Sequence, residues 1–200
     1  MSGKTMIKGM LTAGGLAVSA ATFAATPSAT MLAYPCAGCH GTNGVSRGPA
    51  TPTIAGISKD YFIDTMKAFR DGDRPSTVMD RIAKGYTDDE IEQMAGFFSQ
   101  EKFVAFKQPY DVTTAKRGYI LHDKYCEKCH EDGGRSKEDD AGILAGQWTA
   151  YLRYSLEDFL SGDRMAPKKM RKRVKYVEKK AGDKGFEQLL NYWASQDKRK

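Results

Sequence analysis

The chain has 200 residues, with 31 Lys and Arg against 25 Asp and Glu for a formal charge of +6, and 40% of its residues are hydrophobic. Past the N-terminal segment, nothing approaches the 18 uninterrupted apolar residues that a membrane-spanning helix requires, so the body of the chain is expected to be soluble. Only 4 cysteines and 3 histidines are present, too few for a disulfide-dense scaffold or a histidine-rich metal centre.

In chain order, residues 1–24 read as a secretory signal peptide. Lys4 and Lys8 precede an apolar, small-residue run from Met10 to Ala21, and Thr22 and Ala24 are small at the positions before the expected cut. No twin arginine precedes the run, so a cleavable Sec-type signal and a periplasmic location are expected, which makes nucleic acid a poor candidate partner despite the basic charge.

Next come Cys36-Ala-Gly-Cys39-His40 and, further on, Cys126-Glu-Lys-Cys129-His130, which together use all 4 cysteines. This spacing suits covalent attachment of haem c. Each thiol adds to one vinyl group of the porphyrin, and the adjacent histidine coordinates iron from below. Four thiolates around a structural zinc are the alternative, but zinc spacing does not call for a histidine directly after each second cysteine.

Helical periodicity dominates between and after the pentads. Ser58 is expected to cap a helix with apolar residues at Tyr61, Phe62, Met66 and Phe69, and Thr87 to Glu90 forms a capping box before Ile91, Met94 and Phe98. Lys102 to Val112 reads as a linker, and Thr113 as the cap of the helix that leads into the second pentad. Tyr151, Leu152 and Phe159 share one face of a further helix. Phe186, Leu189, Leu190 and Trp193 share a face of the last, expected to begin after Asp183.

The second part repeats the first. Cys36 and Cys126, Gly56 and Gly146, Tyr61 and Tyr151, Phe69 and Phe159, and Arg74 and Arg164 all lie 90 residues apart. Late in the second copy the offset grows to 95, from Ile91 to Phe186, so residues have been gained there. The expected architecture is all-α. It consists of two tandem cytochrome c domains related by duplication, 25–108 and 109–200, each wrapped around one covalent haem that adds the apolar mass so small a domain lacks. Charge is divided unequally. Residues 29–112 hold 9 basic and 11 acidic side chains, net −2, and residues 113–200 hold 20 and 14, net +6, with the run from Lys168 to Arg173 the sharpest basic feature.

With His40 and His130 beneath the irons, methionine is the natural partner on the opposite face. Met79 and Met170 fall 39 and 40 residues after their histidines, at near-equivalent places in the repeat. Met165 is the rival in the second copy. His122 reads as a partner for a propionate or backbone group, and the carbonyl of Pro49 as the group that fixes the His40 ring, with Asp139 at the corresponding place in the second copy.

Longer blocks carry a resemblance. Cys36-Ala-Gly-Cys39-His40-Gly41-Thr42, Ser76-Thr77-Val78-Met79-Asp80-Arg81-Ile82-Ala83-Lys84-Gly85-Tyr86, Leu121 through His130, and Ile143-Leu144-Ala145-Gly146-Gln147-Trp148 resemble the dihaem cytochrome subunit of flavocytochrome c sulfide dehydrogenase. The resemblance implies a heterodimer with an FAD-containing subunit that oxidises sulfide. It also implies input of electrons at the first lobe and delivery from the second to a soluble cytochrome or similar acceptor. The chain itself holds no nucleotide-binding glycine motif and no spare cysteine, so FAD is expected only on the partner and no catalytic residue on this chain. A free-standing dihaem carrier feeding a terminal oxidase is the alternative, and a dihaem peroxidase a third reading, opposed by two methionine-capped irons.

Overall fold

A computed structural model describes residues 27–138 and 141–197. The expected signal peptide and Asp139 lie outside the described residues. Within them all regular structure is helical, in agreement with the all-α expectation.

The first half begins with α1 (Ala29–Ala33), a 3-10 turn, and α2 (Ala37–His40) carrying the first pentad. Helix α3 (Lys59–Asp71) starts where Ser58 Oγ accepts the Tyr61 N–H at 3.0 Å and ends at Gly72, whose φ of 86° is open to glycine without the cost of a Cβ. The one-turn α4 (Met79–Ile82) follows. Helix α5 (Asp88–Gln100) opens with the predicted capping box, Thr87 Oγ1 accepting from the Glu90 N–H while the Glu90 carboxylate accepts from the Thr87 N–H. Phe62, Met66, Ile91, Met94 and Phe98 form the core between α3 and α5. Each such fully buried side chain contributes about 1.5–3 kcal/mol.

The second half repeats the plan with α6 (Val112–Tyr125), the short helical turn α7 (Glu131–Gly134), α8 (Thr149–Ser161) and α9 (Lys168–Ala194). One boundary differs from expectation. Asp111, not Thr113, caps α6, because its carboxylate accepts the Thr114 N–H at 2.7 Å and its charge suits the positive helix start. Helix α9 is two helical segments joined across a kink at Gly182 (φ 55°, ψ −152°), so the segment bearing Phe186, Leu189, Leu190 and Trp193 starts at Asp183, close to its expected place, while the residues gained after Tyr176 extend the segment before the kink. Helices α6 and α9 approach closely at Gly118, where a Cβ would lie 1.9 Å from the Gln188 carbonyl oxygen.

The duplication is written in the hydrogen bonds. Ile54 and Ala55 N–H both donate to the Gly44 carbonyl, and Leu144 and Ala145 N–H both donate to that of Gly134. The halves meet through buried polar groups. Gln147 is 3% exposed and pairs with both backbone groups of Thr53, accepting its N–H at 3.0 Å and donating to its carbonyl at 2.9 Å. Gln108, from the segment expected as a plain linker, donates to the Gln147 carbonyl and accepts from Thr149, and Trp148 donates to the Ser46 carbonyl.

Candidate functional site

The first pentad sits on α2 and the second in the turn between α6 and α7, and each exposes its second cysteine and half-buries its first. None of the four forms a disulfide. Burial pushes the Cys36 thiol up and that of Cys126 to about 12, the latter partly opposed by the charge of Arg173. The thiols are not gathered into one tetrahedron. Among the described residues no group of three or more His, Cys, Asp or Glu side chains is placed to hold a metal ion.

The two pentad histidines are the better-defined candidates. His40 Nδ1 lies 2.9 Å from the Pro52 carbonyl and His130 Nδ1 lies 3.2 Å from that of Gly142, 12 residues onward in both cases. Burial lowers both imidazoles, His130 to about 4, with the carbonyls opposing. Each ring is therefore neutral at pH 7. Its one proton is on Nδ1, donated to the carbonyl, which leaves the Nε2 lone pair for iron. The carbonyl that fixes His40 is that of Pro52, not Pro49. The loop before it closes on itself, Ser46 Oγ donating to the Thr51 carbonyl and accepting from the Gly48 N–H, and the extended return after that loop reaches the ring.

Met79 is half-buried at the first position of α4, packed against the first core and with its N–H held by Ser76 Oγ at 2.9 Å. Met170 is half-buried in the first turn of α9, whereas Met165 lies in the preceding loop and is 68% exposed.

No protein-family model matches the chain. Cytochrome c-554(548) of Halomonas halodenitrificans is 34% identical over 70 residues, 34% of this chain and 84% of that one. This chain belongs to the c-type cytochromes. The cytochrome subunit of sulfide dehydrogenase from Chlorobaculum tepidum is 47% identical to this cytochrome over 68 residues, 34% of this chain, and the match spans 61% of that relative. Reduced recombinant cytochrome c4 from Pseudomonas stutzeri superposes with a TM-score of 0.69 at 25% identity, covering 81% of this chain and 93% of that one. This protein is accordingly a dihaem cytochrome c that transfers electrons, and its two pentads fit two covalently bound haems.

Two features of this cytochrome were not apparent from the sequence. Arg74, 7% exposed, donates to the Tyr151 hydroxyl at 3.2 Å, and Arg164 donates to the Tyr61 hydroxyl at 3.1 Å. These are the same two positions of the repeat, exchanged between halves, and each guanidinium also lies over a phenylalanine of its own half, Phe69 or Phe159. Among the described residues neither arginine has a carboxylate partner. A buried cation without an acid is costly unless an anion is supplied, and haem propionates are such anions. The 90-residue spacing of Tyr61 and Tyr151, and of Arg74 and Arg164, was the available signal.

The His122 ring nitrogens face two side chains, with the His130 backbone also against the ring as a backbone partner was expected. The ring is fully buried; Nδ1 accepts the Trp193 indole N–H at 3.1 Å and Nε2 lies 2.8 Å from Glu127 Oε2. The indole can only donate, so the imidazole proton is on Nε2 and is given to Glu127. That carboxylate also accepts the Gly133 N–H, which ties the second pentad to the end of α9.

Proposed function

We propose that this cytochrome is the electron-transfer subunit of a periplasmic sulfide dehydrogenase, receiving electrons from an FAD-containing partner that oxidises sulfide and passing them to a soluble acceptor. When bound, each haem c supplies a one-electron iron centre. Cys36 and Cys39, then Cys126 and Cys129, form the thioether bonds. His40 and Met79 hold the first iron, and His130 and Met170 the second. The domains run 25–108 and 109–200, with input at the first and outlet at the second.

The observation that carries this reading is the 47% identity to the sulfide dehydrogenase cytochrome subunit. Burial of His40 and His130 keeps their Nε2 atoms free of protons, and half-burial of Met79 and Met170 suits thioether ligands shielded from water, a set that favours ferrous iron and a positive potential. The experiment is purification of the native chain followed by rapid mixing with sulfide. A flavoprotein in one-to-one ratio, and haem reduction only in its presence, is the expected result; a chain isolated alone and reduced by no copurifying subunit overturns the proposal.

A free-standing dihaem carrier feeding a terminal oxidase is the second reading. The likeness to a cytochrome c4 over 81% of the chain favours it, and isolation without a flavoprotein is its signature.

A further inference from the structure

We propose that the outer face of α9 is the docking surface for an acidic redox protein, seated on Tyr176 and held by the cations around it. The proposal rests on the second lobe being the electron outlet and adds the surface and the partner's chemistry.

Charge is the first observation. Of the 14 residues from 168 to 181, 8 are Lys or Arg and Glu178 is the only acid. All 8 are exposed, and among the described residues none forms an ion pair. The corresponding first-lobe residues 78–91 hold only Arg81 and Lys84 against Asp80, Asp88, Asp89 and Glu90, and Asp88 there pairs with Lys67 and Arg70 of α3. Part of the second-lobe patch, Lys179 and Lys180, lies in the residues gained between Tyr176 and Phe186.

Position is the second. Lys169, Lys172, Arg173, Lys179 and Lys180 stand at −7, −4, −3, +3 and +4 from Tyr176, the spacings that share one helix face. Tyr176 is 41% exposed, and its ring lies 5.2 Å from that of Tyr125, the residue before Cys126. Lys180 sits over the Tyr176 ring and Lys124 over the Tyr125 ring. The surface is therefore continuous from α9 to the second pentad. An exposed aromatic ringed by charge is the arrangement of an interface centre and its rim, and here packed side chains lead from it to the cysteine expected to bind the second haem. One electron leaves the reduced second lobe and reduces the partner by one.

An anionic membrane is a poorer occupant. Val174 and Val177, the apolar face of this helix, are turned into the second core, which leaves Tyr176 as the one large apolar side chain of α9 that is exposed to solvent. A helix lying in a bilayer surface needs an apolar face to bury there.

The test uses the holo-cytochrome reduced with ascorbate, so that its outcome does not depend on sulfide as the electron source, mixed with an acidic plastocyanin as the oxidant. The second-order rate should fall about tenfold or more between about 10 mM and 300 mM ionic strength. Lys172→Gln/Lys179→Gln/Lys180→Gln should lower the low-salt rate about tenfold and flatten the salt dependence. Tyr176→Ala should lower the rate at all salt concentrations. Lys179→Gln/Lys180→Gln, well beyond the Met170 turn, should give a smaller loss with the thioether-to-iron absorption band intact, and Lys102→Gln/Lys107→Gln on the linker should change little. Salt-independent rates, or α9 variants as fast as the parent, overturn the proposal. Binding to phosphatidylglycerol vesicles that the triple variant loses, with plastocyanin rates unchanged, overturns it in favour of a membrane surface.

Discussion

The Arg74 guanidinium crosses between halves to the Tyr151 hydroxyl at 3.2 Å, and the repeat returns the contact through Arg164 and Tyr61 at 3.1 Å. Burial works against the Arg74 charge, but the Tyr151 and Tyr61 hydroxyls hold its pKa above the ordinary value. Burial likewise opposes ionisation of Tyr151, yet two facing guanidinium groups hold its phenol well below the usual range. Exchange of one residue pair between duplicated lobes makes each lobe complete the other.

Arg74→Gln should therefore act twice. Loss of a hydrogen bond from a charged donor costs about 1.5–3 kcal/mol, read as a lower urea midpoint. If Arg74 meets a haem propionate, removal of its positive charge favours the ferric state, so spectroelectrochemistry should give a lower midpoint potential for at least one haem, with Arg74→Lys restoring part of it. An unchanged potential would show that the arginine serves only the lobe contact.

His122 sets an acid limit on stability. Burial holds its pKa below the ordinary imidazole value of about 6.5, with Glu127 opposing. Below that value the unfolded chain binds more protons than the native one, so this contribution is fully present above about pH 6.5 and is lost as pH falls through the lower folded pKa. Urea midpoints of the holo-protein should drop between pH 7 and pH 5, and His122→Gln, already less stable at pH 7, should show a shallower drop over that interval.

Met170→Ala should abolish the thioether-to-iron absorption band of one haem, and Met79→Ala that of the other. Met165→Ala should leave both bands, as its 68% exposure suggests. Loss of a band from the Met165 variant alone would reassign the ligand.

Gly118→Ala places a methyl group against the Gln188 carbonyl oxygen. Helices α6 and α9 must separate to accept it, at a cost of about 1–3 kcal/mol. Thermal unfolding of the holo-protein checks this, and an unchanged transition would mean that the crossing can relax.

Local signals were legible in the sequence where local chemistry decides the outcome. The Ser58 cap, the Thr87–Glu90 capping box, both pentads and the repeat are set by residues a few positions apart or by simple register. What escaped depends on how distant segments close. Pro52 rather than Pro49 holds His40 because the Ser46–Thr51 loop satisfies its own hydrogen bonds first. The restart at Asp183 was legible because Gly182 just before it takes a positive φ that interrupts the helix. Arg74 and Tyr151 were visible as repeated letters, but a duplication alone does not say that equivalents pair across the halves.

Two covalent haems, one on each lobe, are the claim on which the rest stands, and intact-mass spectrometry of the native protein tests it most directly. The parent should weigh its polypeptide plus two haem increments, and Cys126→Ala/Cys129→Ala should lose one of them. A parent mass equal to the bare polypeptide would contradict the account.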